Sequence, residues 1–95
     1  MPVLTLPPVL THAEAAGFAL GLKQAVQSQP AGVVADASVL KEFDSSALAV
    51  LLECRREALA AGKGFAVAGL PPRLRQLAGL YGVAELIPAA PVGAA

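Results

Sequence analysis

The sequence predicts an α/β domain in which a small, mostly parallel sheet carries helices packed on it. Two short stretches, Gly32–Ala37 and Phe65–Ala68, are almost entirely apolar, as is typical of strands buried on both faces of a sheet. A segment with apolar residues at helical spacing lies between them, and another precedes them. Strands that alternate with helices favour parallel pairing through right-handed crossovers.

The N-terminal third is predicted to form one strand and one long helix. Val3–Leu6 is typical of a short strand, and two prolines then impose an extended passage. Thr11 and Glu14 have the spacing of a capping box, so we expect a helix over about 12–28. Its apolar stripe consists of Ala15, Phe18, Ala19, Leu22, Ala25 and Val26.

A second helix is predicted from about Ser45 to Ala61, after a turn that spans Ser38 to Asp44. One face of this helix is apolar, and Glu53, Arg56 and Glu57 lie opposite it. The apolar face consists of Leu48, Leu51, Leu52, Ala58 and Leu59. We expect Ser46, Ala49 and Val50 to project nearer the charged side.

The C-terminal third is predicted to hold a strand, a short helix and a final apolar segment. Lys63 lies between two glycines that form a turn, and the leucines of 74–80 mark a helix that ends near Gly82. Val83–Ile87 is either a last strand or an apolar docking segment. We therefore expect a single domain over 3–87 and a flexible tail over 88–95.

The composition argues against several classes of function. The 95 residues carry seven basic and seven acidic side chains, so no net charge favours nucleic acid as a partner. Charged residues interrupt every apolar stretch before the ~18 residues that a membrane span needs. No basic residue precedes the first apolar stretch, so we expect a cytoplasmic location rather than export.

Reactive side chains are too sparse to form a catalytic or metal-binding constellation. The chain has one His, one Cys and one Tyr, and its carboxylates are thinly spread. Cys54 lies in a helical pattern and is interpreted as a packing residue, and His12 as an ordinary first-turn residue. We therefore predict no enzyme activity, no metal and no cofactor.

Two further patterns have simpler explanations than a ligand site. Gly62-Lys63-Gly64 lacks the remaining residues of a phosphate-binding loop and precedes a strand, so we interpret it as a turn. Gly17 and Gly21 have the spacing of a small-residue packing motif. Because the chain has no predicted membrane span, we predict that this spacing serves core packing.

The strongest functional feature is the tripeptide Asp44-Ser45-Ser46, which opens the second helix. The first N–H groups of a helix lack partners within it, so this place suits a capping oxygen, a carboxylate or a phosphoryl group. The simplest interpretation is a local cap. The alternative is a partner-binding surface that also includes Ala49, Val50 and Glu53, and that phosphorylation of Ser45 would alter.

Three segments together resemble a STAS domain. They are Phe43-Asp44-Ser45-Ser46-Ala47-Leu48, Gly64-Phe65-Ala66-Val67-Ala68-Gly69-Leu70 and Leu80-Tyr81-Gly82-Val83. The family includes anti-sigma factor antagonists and MlaB, the small cytoplasmic subunit of the Mla phospholipid-transport ABC system. In the antagonists the first Ser of the Asp-Ser-Ser-Gly-Leu motif is the target of a kinase, which implies that role for Ser45. Ala47 stands where the antagonists usually have Gly, and the N-terminus is short for the family's first hairpin.

The resemblance implies two functions, and we expect the MlaB-like one. In that case the chain is a non-catalytic subunit that binds and regulates or stabilises the ATPase of an ABC phospholipid transporter. A hydroxyl residue at the place of Ser45 contacts the ATPase in MlaB-like proteins, so the membrane is reached only through the transporter. The alternative is an anti-sigma factor antagonist whose partner is a serine kinase that phosphorylates Ser45.

Overall fold

A computed structural model describes residues 3–30 and 32–90 and shows strands that pair in parallel. The elements in chain order are β1 (Leu4–Thr5), β2 (Val9–Leu10), α1 (His12–Leu20), α2 (Leu22–Gln27), β3 (Gly32–Asp36), β4 (Glu42–Phe43), α3 (Ser45–Ala60), β5 (Gly64–Ala68), α4 (Pro72–Leu80) and a 3-10 helix (Ala84–Leu86). The main sheet has the order β1-β3-β5. The predicted α/β class, with a mostly parallel sheet and helices on it, is therefore confirmed.

The register of the main sheet is set by its central strand. All five residues of β3 pair with β5, from Gly32 opposite Gly64 to Asp36 opposite Ala68. On its other side β3 pairs only with the two residues of β1. A separate two-stranded ladder joins β2, which follows the two prolines, to β4, which lies in the segment predicted as a turn. Two residues are too few to show any periodicity in the sequence.

The core surrounds α3, which contacts the other helices and two strands. Its buried residues are Ala47, Leu48, Val50, Leu51, Cys54 and Ala58. Around it, α1, α2, α4, β3 and β5 all pack against this helix. Leu51 is fully buried, as are Leu6, Leu10 and Leu74 from other elements. Each such leucine contributes about 1.5–3 kcal/mol to folding.

The helix predicted over 12–28 is two helices, and this expectation is corrected. Gly21 separates α1 from α2, with φ −94° and ψ −1°. A glycine makes a helix less stable by about 1 kcal/mol relative to alanine, so Gly21 is a favourable place for the helix to be interrupted. The two pieces also differ in burial, because α2 buries Leu22 and Val26 whereas α1 buries no residue completely.

One ammonium group fastens the turn before β5 to the C-terminal end of α2. Lys63 lies in the predicted turn before β5, and its Nζ donates to the carbonyl oxygens of Val26 at 2.9 Å and Gln27 at 3.2 Å. It also donates to the carbonyl of Gln29. These carbonyls close α2, so the lysine supplies a C-terminal cap from a distant part of the chain.

The C-terminal segment is a docking segment rather than a strand over Val83–Ile87. A 3-10 helix forms at Ala84–Leu86, and Ile87 is buried. The N–H of Val67 then donates to the carbonyl of Pro88 at 2.8 Å, and the N–H of Ala90 donates to Val67 at 2.8 Å. Residues 88–90 of the predicted tail are thus bonded to β5, and 91–95 lie outside the described residues.

Within residues 3–30 and 32–90, none of the helices combines the length and the apolar character that a membrane span requires.

Candidate functional site

Asp44 joins the starts of two helices. As N-cap of α3, it accepts a hydrogen bond at Oδ1 from the N–H of Ser46 at 2.8 Å. Its Oδ2 accepts from the N–H of His12, the first residue of α1, at 3.1 Å. The predicted helix start at Asp44-Ser45-Ser46 is therefore confirmed, and the same carboxylate also fixes the position of α1.

These hydrogen bonds favour the ionised form of the Asp44 carboxyl and lower its pKa. The bond from the Ser46 N–H lowers its pKa most, and desolvation opposes the shift only in part. The bond from the His12 N–H lowers the pKa further. Negative charge is favoured here because the N-termini of two helices point at the group.

The capping box predicted at Thr11 and Glu14 does not form, and this expectation is corrected. Thr11 is the N-cap of α1 but makes no side-chain hydrogen bond to the helix backbone. Its hydroxyl instead donates to the Glu14 carboxylate. The N–H of His12 bonds to Asp44, so a residue 32 positions away along the chain supplies the capping oxygen.

A shallow groove runs from this point between α1 and α3, with a volume of about 380 Å³. From α3 it is lined by Ser46, Ala49, Val50 and Glu53. From α1 it is lined by His12, Ala15, Ala16 and Ala19. We call this surface the α1–α3 groove. Five of its eight lining side chains are Ala or Val, so a partner could approach the two helices closely.

The structure places the predicted site residues at different depths. Ser45 and Ala49 are exposed, and Ser46 and Glu53 are half-buried. Val50 is only 3% exposed, so the expectation that it projects outward is wrong. Helix α1 covers that side of α3, and Val50 forms the floor of the groove instead.

Glu53 lies at the charged part of the α1–α3 groove. Its carboxylate accepts from the Nε of Arg56 at 3.1 Å, and the Nη2 of Arg56 also reaches Glu57 at 2.9 Å. The hydrogen bond from Arg56 lowers the pKa of Glu53. Exposed ion pairs of this kind contribute little to stability, so their main effect is to hold the side chains in place.

The α1 wall of the groove was not predicted as a site. Ala15 and Ala19 were assigned to the apolar stripe of a core-facing helix, and Ala16 was not singled out. The signal was present, because positions 12, 15, 16 and 19 share one helical face. Whether that face meets the core or a groove depends on how α1 packs against α3, which one helix pattern does not reveal.

A positive charge also lies near the start of α3. The guanidinium carbon of Arg73, in the first turn of α4, is 4.9 Å from the ring centroid of Phe43. This is a cation–π contact, and Phe43 immediately precedes Asp44. No group of three His, Cys, Asp or Glu side chains that could hold a metal lies within the described residues.

The sequence model of the family described as "Mlab, STAS domain" matches residues 1–88. The chain belongs to the STAS domain family. No curated protein matches it. The fold of this STAS domain is similar to that of an anti-sigma-factor antagonist (STAS) domain protein from Planctomyces limnophilus. That match has a TM-score of 0.75 and 23% identity, and it covers 92% of this chain and 79% of the other.

The STAS domain is also similar to the anti-sigma factor antagonist SpoIIAA in its unphosphorylated form. The TM-score is 0.70 at 19% identity, over 93% of this chain and 77% of that chain. At these identities both solved structures show a shared fold, which agrees with the resemblance found in the sequence.

Proposed function

We propose that this STAS domain is a non-catalytic subunit that binds the ATPase of an ABC phospholipid transporter through the α1–α3 groove. In this role the chain acts at the cytoplasmic face of the inner membrane and regulates or stabilises the ATPase. The description of the matching family model as "Mlab, STAS domain" supports this branch of the family.

The observation that carries the proposal is the exposed groove of small side chains that starts at the N-terminus of α3. Ser45 and Ala49 are exposed beside Ser46, and Ala16 is exposed across the groove on α1. Small side chains allow a partner helix or loop to reach the floor at Val50. The Asp44 carboxylate, bonded to both helices, keeps the two walls in register.

The test is the affinity of the chain for its cognate ABC ATPase, measured with one variant beside the α1–α3 groove and one within it. Ser45→Glu adds a charge at the helix start, and Ala49→Arg fills the groove. We expect each to weaken binding by at least about tenfold, as is typical when a central interface contact is disrupted. Gln76→Glu is the matched control, because it adds a charge on the exposed face of α4.

Unchanged affinity in both variants, with circular dichroism showing an intact fold, would reject the groove as the contact. Equal weakening by Gln76→Glu would show that the effect is one of net charge rather than of the groove.

The second candidate is an anti-sigma factor antagonist that is switched by phosphorylation of Ser45. Ser45 is exposed at the positive end of α3, and the fold is similar to that of SpoIIAA. A phosphoryl group there would carry close to two negative charges beside Asp44. This candidate predicts stoichiometric phosphate on Ser45 with the cognate kinase and ATP, and none on Ser45→Ala. An unchanged mass of the native chain would exclude it.

A further inference from the structure

The other face of α1 borders a second concave surface, which lies beside the edge strand of the sheet. A cavity of about 460 Å³ is bounded by Val3, Leu4 and Thr5 on one side and by α1, α2 and Gln29 on the other. We call this surface the β1 groove. Its lining shares no residue with the α1–α3 groove.

The strand side of the β1 groove carries main-chain groups that have no strand partner within residues 3–30 and 32–90. In the register of β1 and β3, Leu4 and Thr5 lie opposite Ala35 and Asp36, and the N–H of Leu6 donates to the carbonyl of Asp36 at 2.9 Å. Successive residues of a strand direct their N–H and C=O groups to alternate sides, so the main-chain groups of Leu4 and Leu6 point towards β3. The main-chain groups of Val3 and Thr5 therefore point towards the groove, and no strand among the described residues pairs with that edge.

The helix side of the β1 groove is lined by small residues at helical spacing. Gly17, Gly21 and Ala25 lie four positions apart and all border the cavity. A Cβ atom at Gly17 would meet nothing within 4 Å. Gly17 and Gly21 are both exposed, so the expectation that they serve core packing is wrong. They leave room for a chain beside β1.

A buried amide at the end of the β1 groove lacks a partner. Gln29 is only 7% exposed, and its Oε1 has no hydrogen-bond donor among the described residues. Buried polar atoms are nearly always paired, so an orphaned oxygen requires an explanation. Because Gln29 lines the cavity and its last torsion is broad, its amide can turn to meet an occupant.

We propose that the β1 groove binds an extended, uncharged polypeptide segment of a partner protein, which adds a strand to the free edge of β1. The main-chain groups of Val3 and Thr5 supply the hydrogen bonds, and Gln29 supplies a side-chain contact to the added backbone. No residue that lines the groove is charged, so the segment carries apolar or hydroxyl side chains.

A second copy of the chain does not fit this groove as well as a free segment does. Strand β1 forms one wall of a concavity, and the same strand in a second copy is flanked on one side by its own α1 and α2. The β1 edges of two copies are each two residues long and set back beside helices, so they cannot come close enough to pair with each other. A separate extended segment can enter the groove from solution.

The test is an NMR titration of the ¹⁵N-labelled full chain with acetyl-Val-Thr-Val-Thr-Val-amide. We expect saturable shifts of the Thr5, Gly17 and Gly21 amides and of the Gln29 side-chain amide. Hydrogen exchange of the Thr5 N–H is expected to slow on binding. The same peptide with proline at its centre lacks the main-chain donor and is expected not to bind.

Two variants make the test specific to the groove. Gly17→Leu fills the space beside β1 and is expected to raise the Kd at least tenfold. Gly79→Leu is the matched control, because Gly79 is also an exposed helical glycine with nothing within 4 Å of an added Cβ. Gln29→Met is expected to weaken binding while the fold is kept.

Three results would overturn the proposal. The absence of shifts up to millimolar peptide would exclude the site. Equal binding of the proline peptide would show apolar contact without strand addition. Shifts of the same amides with protein concentration alone, lost in Gly17→Leu, would show that a second copy is the occupant.

Discussion

A single carboxylate sets the geometry of the proposed ATPase-binding surface. Asp44 accepts hydrogen bonds from the backbone of Ser46 in α3 and of His12 in α1. The hydrogen bond from Ser46 makes the largest contribution to lowering its pKa. A group with a lowered pKa in the folded state stabilises that state above its unfolded pKa, and this contribution is lost as the pH falls through the folded value.

Asp44→Asn is therefore expected to lower the free energy of unfolding at pH 7 and to flatten its dependence on pH. Asparagine replaces one carboxylate oxygen by an NH2 group, which donates, so one of the two backbone N–H groups that now bond to separate oxygens loses its acceptor. The difference from wild type should shrink as the pH falls from about 4 towards 2. Urea unfolding at several pH values across this range measures this difference in free energy, and Glu42→Gln, at an exposed position, is the control. If the free energies of unfolding of wild type and Asp44→Asn changed in parallel with pH, the Asp44 carboxylate would not be the cause.

At the residue scale the sequence predicted the helix start but not the depth of every site residue. Asp and Ser are favoured at N-caps, and that preference is local, so Asp44 and Ser45 were placed correctly. Val50 was misplaced because its burial is caused by α1, which packs on the side of α3 that seemed free. Tertiary contacts of this kind leave no trace in the pattern of one helix.

At the element scale, two loops at the carboxyl end of the sheet are packed against each other. Gly69 follows β5 with φ +65°, and a Cβ atom there would lie 2.9 Å from the Cβ of Ser38. Ser38 belongs to the connection that follows β3, where its N–H donates to Asp36 Oδ1 at 2.9 Å. Only glycine satisfies both the positive φ and the close approach.

Gly69→Ala is expected to destabilise the domain more than Gly62→Ala does. Both glycines have positive φ, but an added Cβ at Gly62 would meet nothing within 4 Å. The left-handed conformation alone costs a non-glycine residue about 1–2 kcal/mol. The clash with Ser38 should add roughly 1–3 kcal/mol. Chemical denaturation of both variants measures their free energies of unfolding. Equal losses of stability would show that the close approach of Gly69 to Ser38 adds nothing to the cost of the substitution.

The elements themselves were predicted where their patterns were long. Helix α3 and strands β3 and β5 were placed within about a residue of their observed bounds, because each has a sustained apolar pattern. The break at Gly21 was missed because the apolar stripe continues across it. Strands β2 and β4 arise from pairing between distant segments and carry too few residues for a periodic signal.

At the scale of the whole molecule, Cys54 reports on global unfolding. Its side chain is completely buried in α3, at the centre of the core, and burial raises the pKa of the thiol to about 11. The reactive species is the thiolate, which must also be reached by the reagent. A buried and neutral thiol should therefore react only when the core opens.

We expect labelling of Cys54 by a disulfide reagent at pH 8 to be slower by ~10³-fold or more in the native chain than in urea. This factor follows from a stability of about 5 kcal/mol or more for a small domain. The free energy of opening obtained from labelling should match that from denaturation. Rapid labelling of the native chain would show that local motion of α3 exposes the thiol. Leu51→Ala, which should cost about 2–5 kcal/mol, is expected to accelerate the reaction.

Helix α1 has alanines on one face and Gly17 on the other, and it buries none of its residues completely. It is thus a shared wall between two grooves. A displacement of α1 that widens one groove narrows the other, so occupants of the two grooves would compete through the position of this helix. Such linkage is reciprocal: a segment bound beside β1 would weaken ATPase binding by the same factor as the ATPase weakens binding of the segment.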